Sequence, residues 1–354
     1  MVPCRNERAH VAAFLGSVQA QQLPPGCSME VIVADGRSDD GTREWLAQAS
    51  LDEPRLRVVD NGAGIVSSGL NRALDEARGE VVVRMDMHTT YAADYVAQCL
   101  AVLAATGADN VGGPWRAEAD ADGPAWQRAA VLAFQSPWVA GGARSRRLDH
   151  EGWVETVYLG AWPRATFARC GGFDEQLVRN QDDEHNLRLV RSGGRVWQSA
   201  RIRSAYRPRA TPRQTARQYL QYGYWKPFVM RKHGQPAAWR HLVPALFVVA
   251  VVAAALTSLA GASIGWLAAL LAAYLVAVLT LCVAIVASSF PAALQATPGA
   301  TSAERSGPRR GAVLLRLPLV IATYHLAYGV GSLAGWFDIV RGRGARQAFA
   351  RSSR

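Results

Sequence analysis

The sequence has 354 residues, a formal net charge of +11 and an apolar share of 50%. This length exceeds that of one typical domain, so more than one structural part is expected. The basic residues concentrate at 188–240 and 305–316, which flank apolar segments. Because the positive-inside rule accounts for Arg beside membrane helices, the charge indicates membrane orientation and no nucleic-acid partner.

The five cysteines show no CxxC pair and no paired spacing. This pattern predicts neither a zinc site nor a disulfide framework, and it fits a reducing compartment. The first residues contain no charged-then-apolar leader, so no cleavable signal peptide is expected. We therefore expect the N-terminal part of the chain to lie in the cytosol.

Short apolar segments alternate with segments of helical periodicity over the first part of the chain. The apolar runs are rich in β-branched residues, as buried parallel strands should be. Such alternation predicts an α/β domain with a mainly parallel sheet that carries helices on both faces. The predicted strands are 29–34, 56–60 and 80–85, and the predicted helices are 11–22, 42–49 and 67–78.

The first of these strands delivers Asp35 into a turn that contains Gly36, just before the next helix. Ligands of open α/β sheets bind outside the carboxyl ends of strands, where an Asp accepts hydrogen bonds from a ribose or a base. Asp39 or Asp40 also fits as the cap of the following helix. The pattern favours ligand contact for Asp35 and capping for its neighbours.

Another predicted strand ends in Asp86-Met87-His88. Side chains at i and i+2 of a strand point the same way, so Asp86 and His88 could hold one divalent ion that bridges a diphosphate. Mn²⁺ tolerates an imidazole among oxygen ligands better than Mg²⁺ does. Taken alone, a strand-end Asp and His are more often turn residues, but Asp35 upstream favours the metal interpretation.

Three carboxylates, Asp182, Asp183 and Glu184, open a predicted helix that continues to Arg191. Carboxylates are favourable in the first turn of a helix, so capping is one interpretation. The other is catalytic, because a carboxylate beside a diphosphate site can take the proton of an attacking hydroxyl. Between Gly113 and this helix, five tryptophans lie among Gly, Pro and Arg, as expected where loops build an acceptor surface.

The segment 206–241 is rich in Arg and Tyr and predicts a helix that lies on lipid headgroups. Apolar segments follow at 242–259, 264–288 and 313–336, each long enough for a hydrocarbon core that needs about 20 helical residues. The short link between the first two suits a helical hairpin. The third is weaker, since it contains Pro318, His325 and several glycines.

Three spans would place the basic tail 341–354 on the side opposite the N-terminal domain. Positive-inside bias would instead keep this tail in the cytosol. Either the third apolar segment is re-entrant or another segment inserts, and the number of spans stays open at this point.

Several short motifs follow one another in order along the chain. They are Pro3-Cys4-Arg5-Asn6-Glu7, the strand and turn 31–42, Asp86-Met87-His88, Cys170-Gly171-Gly172-Phe173-Asp174, the block 180–194, and Tyr222-Gly223-Tyr224-Trp225-Lys226. Together they resemble family 2 inverting glycosyltransferases with the GT-A fold, and among these the succinoglycan-type exopolysaccharide transferases. The resemblance covers nearly the whole chain, although each motif is weak by itself.

This resemblance implies a division of the chain and a set of site residues. A GT-A domain at 1–205 precedes an interface segment at 206–241, transmembrane helices at 242–340 and the basic tail. Glu7 is implied to lie near the ribose and nucleobase of the donor, and Asp183 and Glu184 are implied to shape the surroundings of the catalytic base Asp182. The implied site residues are Glu7 and Asp35 for the nucleotide-sugar, Asp86 and His88 for a divalent metal ion (Mn²⁺ or Mg²⁺), and Asp182 as catalytic base.

The sequence departs from the family pattern in three ways. The usual Asp-x-Asp tip has His88 in its last position, which changes the coordination expected of the metal site. The Gln-x-x-Arg-Trp motif of processive synthases is absent from 213–232, which favours transfer of one sugar per encounter. The chain also begins at the last turn of the expected first strand, so either the start codon is misplaced or this strand is short.

The implied function is transfer of a hexose from a UDP- or GDP-sugar to a polyprenyl-diphosphate-linked saccharide. The implied location is the cytoplasmic face of the inner (plasma) membrane, with the protein anchored by several spans. One alternative is a polyprenyl-phosphate sugar transferase, whose acceptor is the lipid phosphate. Another is a non-catalytic membrane scaffold that binds nucleotide-sugar, for which the short N-terminus and His88 are the sequence support.

Overall fold

The computed structural model describes residues 1–235, 238–295, 308–345 and 349, and these divide into two units. The first unit contains residues 1–116 and 144–207, and the second contains 117–143 and 208–349. Residues 117–143, which the sequence-based division places in the GT-A domain, thus belong to the unit that carries the apolar helices. The remaining residues of the basic tail, beyond 345 and apart from 349, lie outside the described residues.

The first unit begins with three parallel strands, β1 (Val2–Cys4), β2 (Val31–Asp35) and β3 (Leu56–Asp60), which lie side by side in that order. All five residues of β2 are buried, because the apolar run is covered on both faces. The register pairs Cys4 with Asp35 and Asp35 with Asp60, so the carboxyl ends of the three strands lie side by side. The elements are β1 Val2–Cys4, α1 Val11–Gln19, β2 Val31–Asp35, α2 Thr42–Asp52, β3 Leu56–Asp60 and α3 Val66–Glu76.

A five-stranded mixed sheet follows, in the order β4-β9-β6-β10-β8. Its strands β6 and β10 are parallel, whereas β9 is antiparallel to both of its neighbours. The Met1 amino group donates to Val83 O at 2.7 Å and Met85 N donates to Met1 O at 3.0 Å, so β4 lies beside the start of β1. The elements are β4 Val81–Val83, β5 Thr90–Tyr91, α4 Tyr95–Thr106, β6 Asn110–Gly113, β7 Arg116–Ala117, α5 Ala125–Gln135 (second unit), β8 Gly152–Val154, β9 Tyr158–Pro163, α6 Arg164–Cys170, α7 Gln181–Arg191, β10 Val196–Gln198 and β11 Ser204–Tyr206. The predicted α/β fold with a mainly parallel sheet is confirmed.

The core of the first unit fixes α7 against the sheet. Trp162 of β9 is 5.5 Å from Phe167 and 6.1 Å from Phe173 between ring centroids, and Leu70 of α3 and Leu189 of α7 belong to the same buried cluster. Aromatic pairs at such distances add to the stabilisation that burial itself provides. The apolar side of α7 is therefore packed against the sheet, and this packing fixes the position of its first turn, which carries the predicted catalytic base.

The second unit contains α8 Pro212–His233, α9 Val243–Leu259, α10 Gly265–Gln295 and α11 Pro308–Val340. Three helical stretches are long and apolar enough to cross a membrane: Trp239–Leu259, Gly265–Ser288 and Arg310–Val340. The first two have 6% and 11% of their most apolar window buried, whereas the third has 33%. All three predicted apolar segments are thus helical, and the third is the one most enclosed by its neighbours.

The glycines that weaken the third segment as a sequence pattern have a packing function. A Cβ built on Gly331 would overlap Leu220 O, and one built on Gly335 would overlap Tyr224 O, so α11 and α8 approach at backbone distance. Small residues allow such close approach between membrane helices. Ten residues of α8 are buried, so this helix packs against other helices of the second unit. Its position on lipid headgroups stays a prediction.

Candidate active site

The predicted metal-binding motif lies in a turn rather than on a strand. The strand β4 ends at Val83, short of the predicted end at residue 85, because its partner β9 leaves the extended conformation at Leu159 and Gly160, with φ of 64° and 115°. Tyr91 fixes the turn: Asp86 N donates to its hydroxyl at 2.6 Å, and that hydroxyl donates to Asp86 O at 3.1 Å. The Asp86 carboxylate is thereby held at a defined place beyond the sheet.

Arg84 joins the two carboxylates that the sequence predicts for metal binding and for catalysis. Its Nε and Nη2 donate to the two oxygens of Asp86, both at 3.1 Å. Its Nη1 lies 4.0 Å from Asp182 Oδ2. The side chains of Arg84 and Asp86 are 7% and 14% exposed, whereas that of Asp182 is 33% exposed.

The charges in this group stabilise one another. Burial by itself raises the pKa of Asp86, but the Arg84 guanidinium and His88 outweigh it, and the pKa of Asp86 is lowered overall. Burial likewise lowers the pKa of Arg84, but Asp86 and Asp182 outweigh that effect and raise it. Asp86 is therefore an ionised carboxylate at neutral pH, paired with a charged guanidinium.

The acidic block at the start of α7 divides into an exposed part and a structural part. Asp182 accepts a hydrogen bond from Asp183 N at 2.9 Å through Oδ1, which leaves Oδ2 on the Arg84 side. Glu184 is fully buried and accepts from Arg188 Nε and Nη2, both at 3.0 Å. Arg188 in turn donates to Gly172 O at 2.6 Å, so this pair anchors α7 to the turn 170–174.

Asp35 lies at the carboxyl end of β2, as expected, with its side chain 2% exposed. Its Oδ1 accepts from Ser38 Oγ at 2.6 Å, and the same Ser38 Oγ accepts from Asn6 N at 2.8 Å. Asn6 and Arg37 both have a left-handed backbone, with φ of 56° and 57°. Strained residues of this kind concentrate at ligand sites, and here they hold the loops after β1 and β2 together.

Glu7 faces the turn that carries the two predicted metal ligands, Asp86 and His88. Its Oε1 is 3.5 Å from His88 Nδ1, and its side chain is 6% exposed against 29% for His88. The backbone of Glu7 is fixed on both sides: its N–H donates to Thr42 Oγ1 at 2.9 Å, and its carbonyl accepts from Val11 N at 2.9 Å at the start of α1. Glu7 thus connects the nucleotide-side loops to the turn that carries Asp86.

The donors at this turn fit the protein's share of a divalent metal site. Asp86 offers ionised oxygens, and a carboxylate has about four lone-pair sites, of which the Arg84 fork uses two. His88 offers an imidazole nitrogen on a partly exposed ring. Among the described residues, no group of three or more His, Cys, Asp and Glu side chains is arranged around one metal position. An ion held here would therefore draw its other ligands from a bound diphosphate and from water.

The structure brings the predicted site residues into one connected group within the first unit. Asp86 and Asp182 meet through Arg84, and Glu7 meets His88, while Asp35 connects to the residue before Glu7 through Ser38. Arg84 was not among the site residues predicted from the sequence. A charged residue that directly follows Val81-Val82-Val83, two positions before Asp86, was the signal that could have identified it.

An aromatic cluster lies next to this group. Trp115 stacks on Tyr158 with ring centroids 5.0 Å apart, and the guanidinium of Arg146 lies 4.3 Å above the Trp115 ring. The Tyr158 hydroxyl is 2.8 Å from Oγ1 of Thr89, which lies in the same turn as Asp86 and His88. One of the five scattered tryptophans is thus connected to the turn that carries Asp86 through Tyr158.

Comparisons with known proteins place these features in a family context. The model described as Glycosyl transferase family 2 matches residues 1–162. The succinoglycan biosynthesis protein ExoA of Rhizobium meliloti (strain 1021) is 31% identical over 246 residues, which cover 69% of this chain and 73% of that protein. ExoM of the same organism is 27% identical over 144 residues, covering 40% and 47% of the two chains.

A solved structure has a similar fold. It is the mannosyltransferase PcManGT from Pyrobaculum calidifontis, in complex with GDP-Man and Mn²⁺. The TM-score is 0.57 at 22% sequence identity, and the match covers 94% of this chain and 85% of that chain. At this identity the likeness concerns the fold alone.

Proposed function

We propose a reaction and an acceptor for this chain, which belongs to glycosyl transferase family 2, has the GT-A fold and is a glycosyltransferase. The reaction is transfer of a hexose from a UDP- or GDP-sugar, with inversion at the anomeric carbon. The acceptor is a hydroxyl of a saccharide linked to polyprenyl diphosphate, in exopolysaccharide synthesis. The name of the similar ExoA and the nucleotide-sugar held by the similar mannosyltransferase support this proposal.

The observation that carries the proposal is the bridge that Arg84 forms between Asp86 and Asp182. Through Arg84, the partly exposed carboxylate of Asp182 at the start of α7 lies next to the turn that carries Asp86, whose donors fit a metal ion and its diphosphate. Donor and acceptor must meet at one point for the transfer, since reacting groups have to be about 3–3.5 Å apart. A purely structural pair of carboxylates would not need one of them exposed to solvent.

In the proposed reaction, Asp182 accepts the proton of the acceptor hydroxyl as that oxygen bonds to the anomeric carbon. The bond from this carbon to the diphosphate oxygen breaks at the same time, and the nucleoside diphosphate leaves. Asp86 and His88 would hold a divalent metal ion, which would neutralise the charge that develops on the diphosphate. Arg84 keeps the Asp86 carboxylate oriented, and the backbone N–H of Asp183 orients Asp182 through its Oδ1.

The three helices that are long and apolar enough to cross a membrane support a lipid-linked acceptor. A substrate anchored in a bilayer is confined to its surface, so an anchored enzyme finds it by a two-dimensional search. We place the protein in the inner membrane as a multi-pass protein, with the first unit in the cytoplasm where nucleotide-sugars are available. Reporter fusions at the C-terminus test this topology, and a reporter active only outside the cytoplasm would support three full spans.

Asp182→Asn tests the assigned base. The side chain keeps its shape but cannot take up a proton, so sugar transfer should be lost while nucleotide binding is retained. Transfer is measured with purified full-length protein, Mn²⁺ and a panel of UDP- and GDP-sugars, with a lipid-linked saccharide as acceptor. Nucleotide binding is measured on the same preparations by calorimetry with UDP and GDP.

Asp52→Asn is the matched control, since Asp52 is an exposed carboxylate at the end of α2 and the charge change is the same. It should transfer sugar at the wild-type rate. Full activity of Asp182→Asn would remove Asp182 as the base. Transfer to polyprenyl phosphate but not to the lipid-linked saccharide would replace the proposed acceptor by the lipid phosphate itself.

A further inference from the structure

We infer that Glu7 is a positioning residue for His88, and that its carboxylate sets the affinity of this turn for a divalent metal ion. This inference rests on the proposed function, because it concerns the metal site of that reaction. It assigns Glu7 to the metal-binding side of the site, whereas the sequence resemblance implies a contact with the ribose and base.

The arrangement of the two side chains carries the inference. Nδ1 of His88 is shielded from solvent and is 3.5 Å from Glu7 Oε1, yet 29% of the His88 side chain is exposed. The exposed part therefore lies among the other side-chain atoms, and of these Nε2 is the one able to bind a metal. Histidines that bind metals almost always donate their second ring N–H to a carboxylate, a carbonyl or a water.

Glu7 has the properties that such a carboxylate requires. It is nearly inaccessible, so a ligand in solvent reaches it less readily than it reaches His88. Its backbone is fixed by Thr42 Oγ1 and by the first turn of α1, so the carboxylate cannot move away without disturbing both. A fixed carboxylate beside Nδ1 selects the tautomer in which Nδ1 carries the proton and Nε2 carries none. It also makes Nε2 more basic and therefore a stronger metal ligand.

Charge provides the physical reason for the pairing. A family site with two aspartates supplies two negative charges to the ion, whereas Asp86 with a neutral His88 supplies one. A carboxylate behind the imidazole restores negative charge close to the ion without occupying a ligand position. If His88 were an aspartate instead, Glu7 at this distance would repel it.

The experiment measures Mn²⁺ affinity directly, by the electron paramagnetic resonance signal of free Mn²⁺ in the presence of saturating UDP or GDP. Purified full-length wild type, Glu7→Gln, His88→Asp and the double variant are compared. Binding of UDP and GDP without metal, in EDTA, is measured by calorimetry on the same preparations. Glu44→Gln, an exposed carboxylate on α2, serves as the charge-matched control.

In the wild-type background, Glu7→Gln should weaken Mn²⁺ binding about 10-fold or more, as loss of such carboxylates does in other metal sites. Nucleotide binding in EDTA should be unchanged. In the His88→Asp background, Glu7→Gln should leave the Mn²⁺ affinity unchanged or raise it. Glu44→Gln should match the wild type throughout.

An equal loss of Mn²⁺ affinity in both backgrounds would overturn the inference, because the effect would then not pass through His88. Weaker nucleotide binding in EDTA, with normal Mn²⁺ affinity, would also overturn it and would return Glu7 to the ribose and base. If wild-type protein binds no Mn²⁺ with either nucleotide, the metal step of the proposed function fails together with this inference. Normal Mn²⁺ affinity of Glu7→Gln beside a Mn²⁺-binding wild type would refute only the role of Glu7.

Discussion

Replacing Arg84 by Met tests whether the bridge at the centre of the site is a buried charge pair. The guanidinium contacts both oxygens of Asp86 at 3.1 Å, with side-chain exposures of 7% and 14%. Methionine fills a similar volume but leaves the Asp86 carboxylate without its cation. Removing one partner of a buried pair costs about 3–5 kcal/mol, because the remaining charge has lost both water and its counter-charge.

That free energy corresponds to a drop in Tm of about 6–20 °C, at about 2–4 °C for each kcal/mol in a domain of this size. The measurement is thermal unfolding of the detergent-solubilised full-length protein, followed by tryptophan fluorescence. Arg84→Lys should fall between wild type and Arg84→Met, since an ammonium keeps the charge but cannot form the two parallel hydrogen bonds.

Arg147→Met is the control, because Arg147 pairs with Asp149 at 3.4 Å in a position where both side chains are more than half exposed. Exposed pairs contribute little to stability, so this variant should unfold close to the wild-type Tm. If Arg84→Met lowers the Tm no more than Arg147→Met does, the reasoning from burial is refuted. The bridge would then be a weak contact that water can replace.

Two further predictions concern the buried His185 of α7 and the close approach of α8 and α11. Burial, together with the charge of Arg188, lowers the pKa of His185 to about 4. In the unfolded chain the pKa of a histidine is about 6.5. The unfolded state therefore binds a proton that the folded state does not, and acidification from pH 6.5 to 4 should destabilise the protein. The loss of unfolding free energy that His185 causes is about 2 kcal/mol at pH 5. The corresponding fall in Tm should be absent from His185→Phe, and a pH dependence of Tm equal to that of the wild type would contradict this prediction. Gly331→Ala should lower the Tm because its Cβ would overlap Leu220 O, whereas Gly311→Ala, in open space, should raise it slightly. Equal Tm values for these two alanine variants would contradict the close approach of α8 and α11.

The local pattern of the sequence was enough to predict most elements and the positions of the acidic residues. Short apolar runs of β-branched residues between turn residues predict strands, and β3 has the bounds 56–60 that were predicted. The three apolar segments are helices long enough to cross a membrane, as their length and composition predict. Asp35 follows a strand and Asp182 opens a helix, as their neighbours in sequence indicate.

Contacts between distant parts of the chain were decided by the tertiary structure alone. The sequence places Arg84 near Asp86, but only the packing of α7 on the sheet brings Asp182 to the other side of the guanidinium. The contact of Glu7 with His88 likewise depends on β4 lying beside the start of β1. Local propensity depends on neighbouring residues, whereas the pairing of side chains depends on how the elements pack, and one sequence alone does not record that packing.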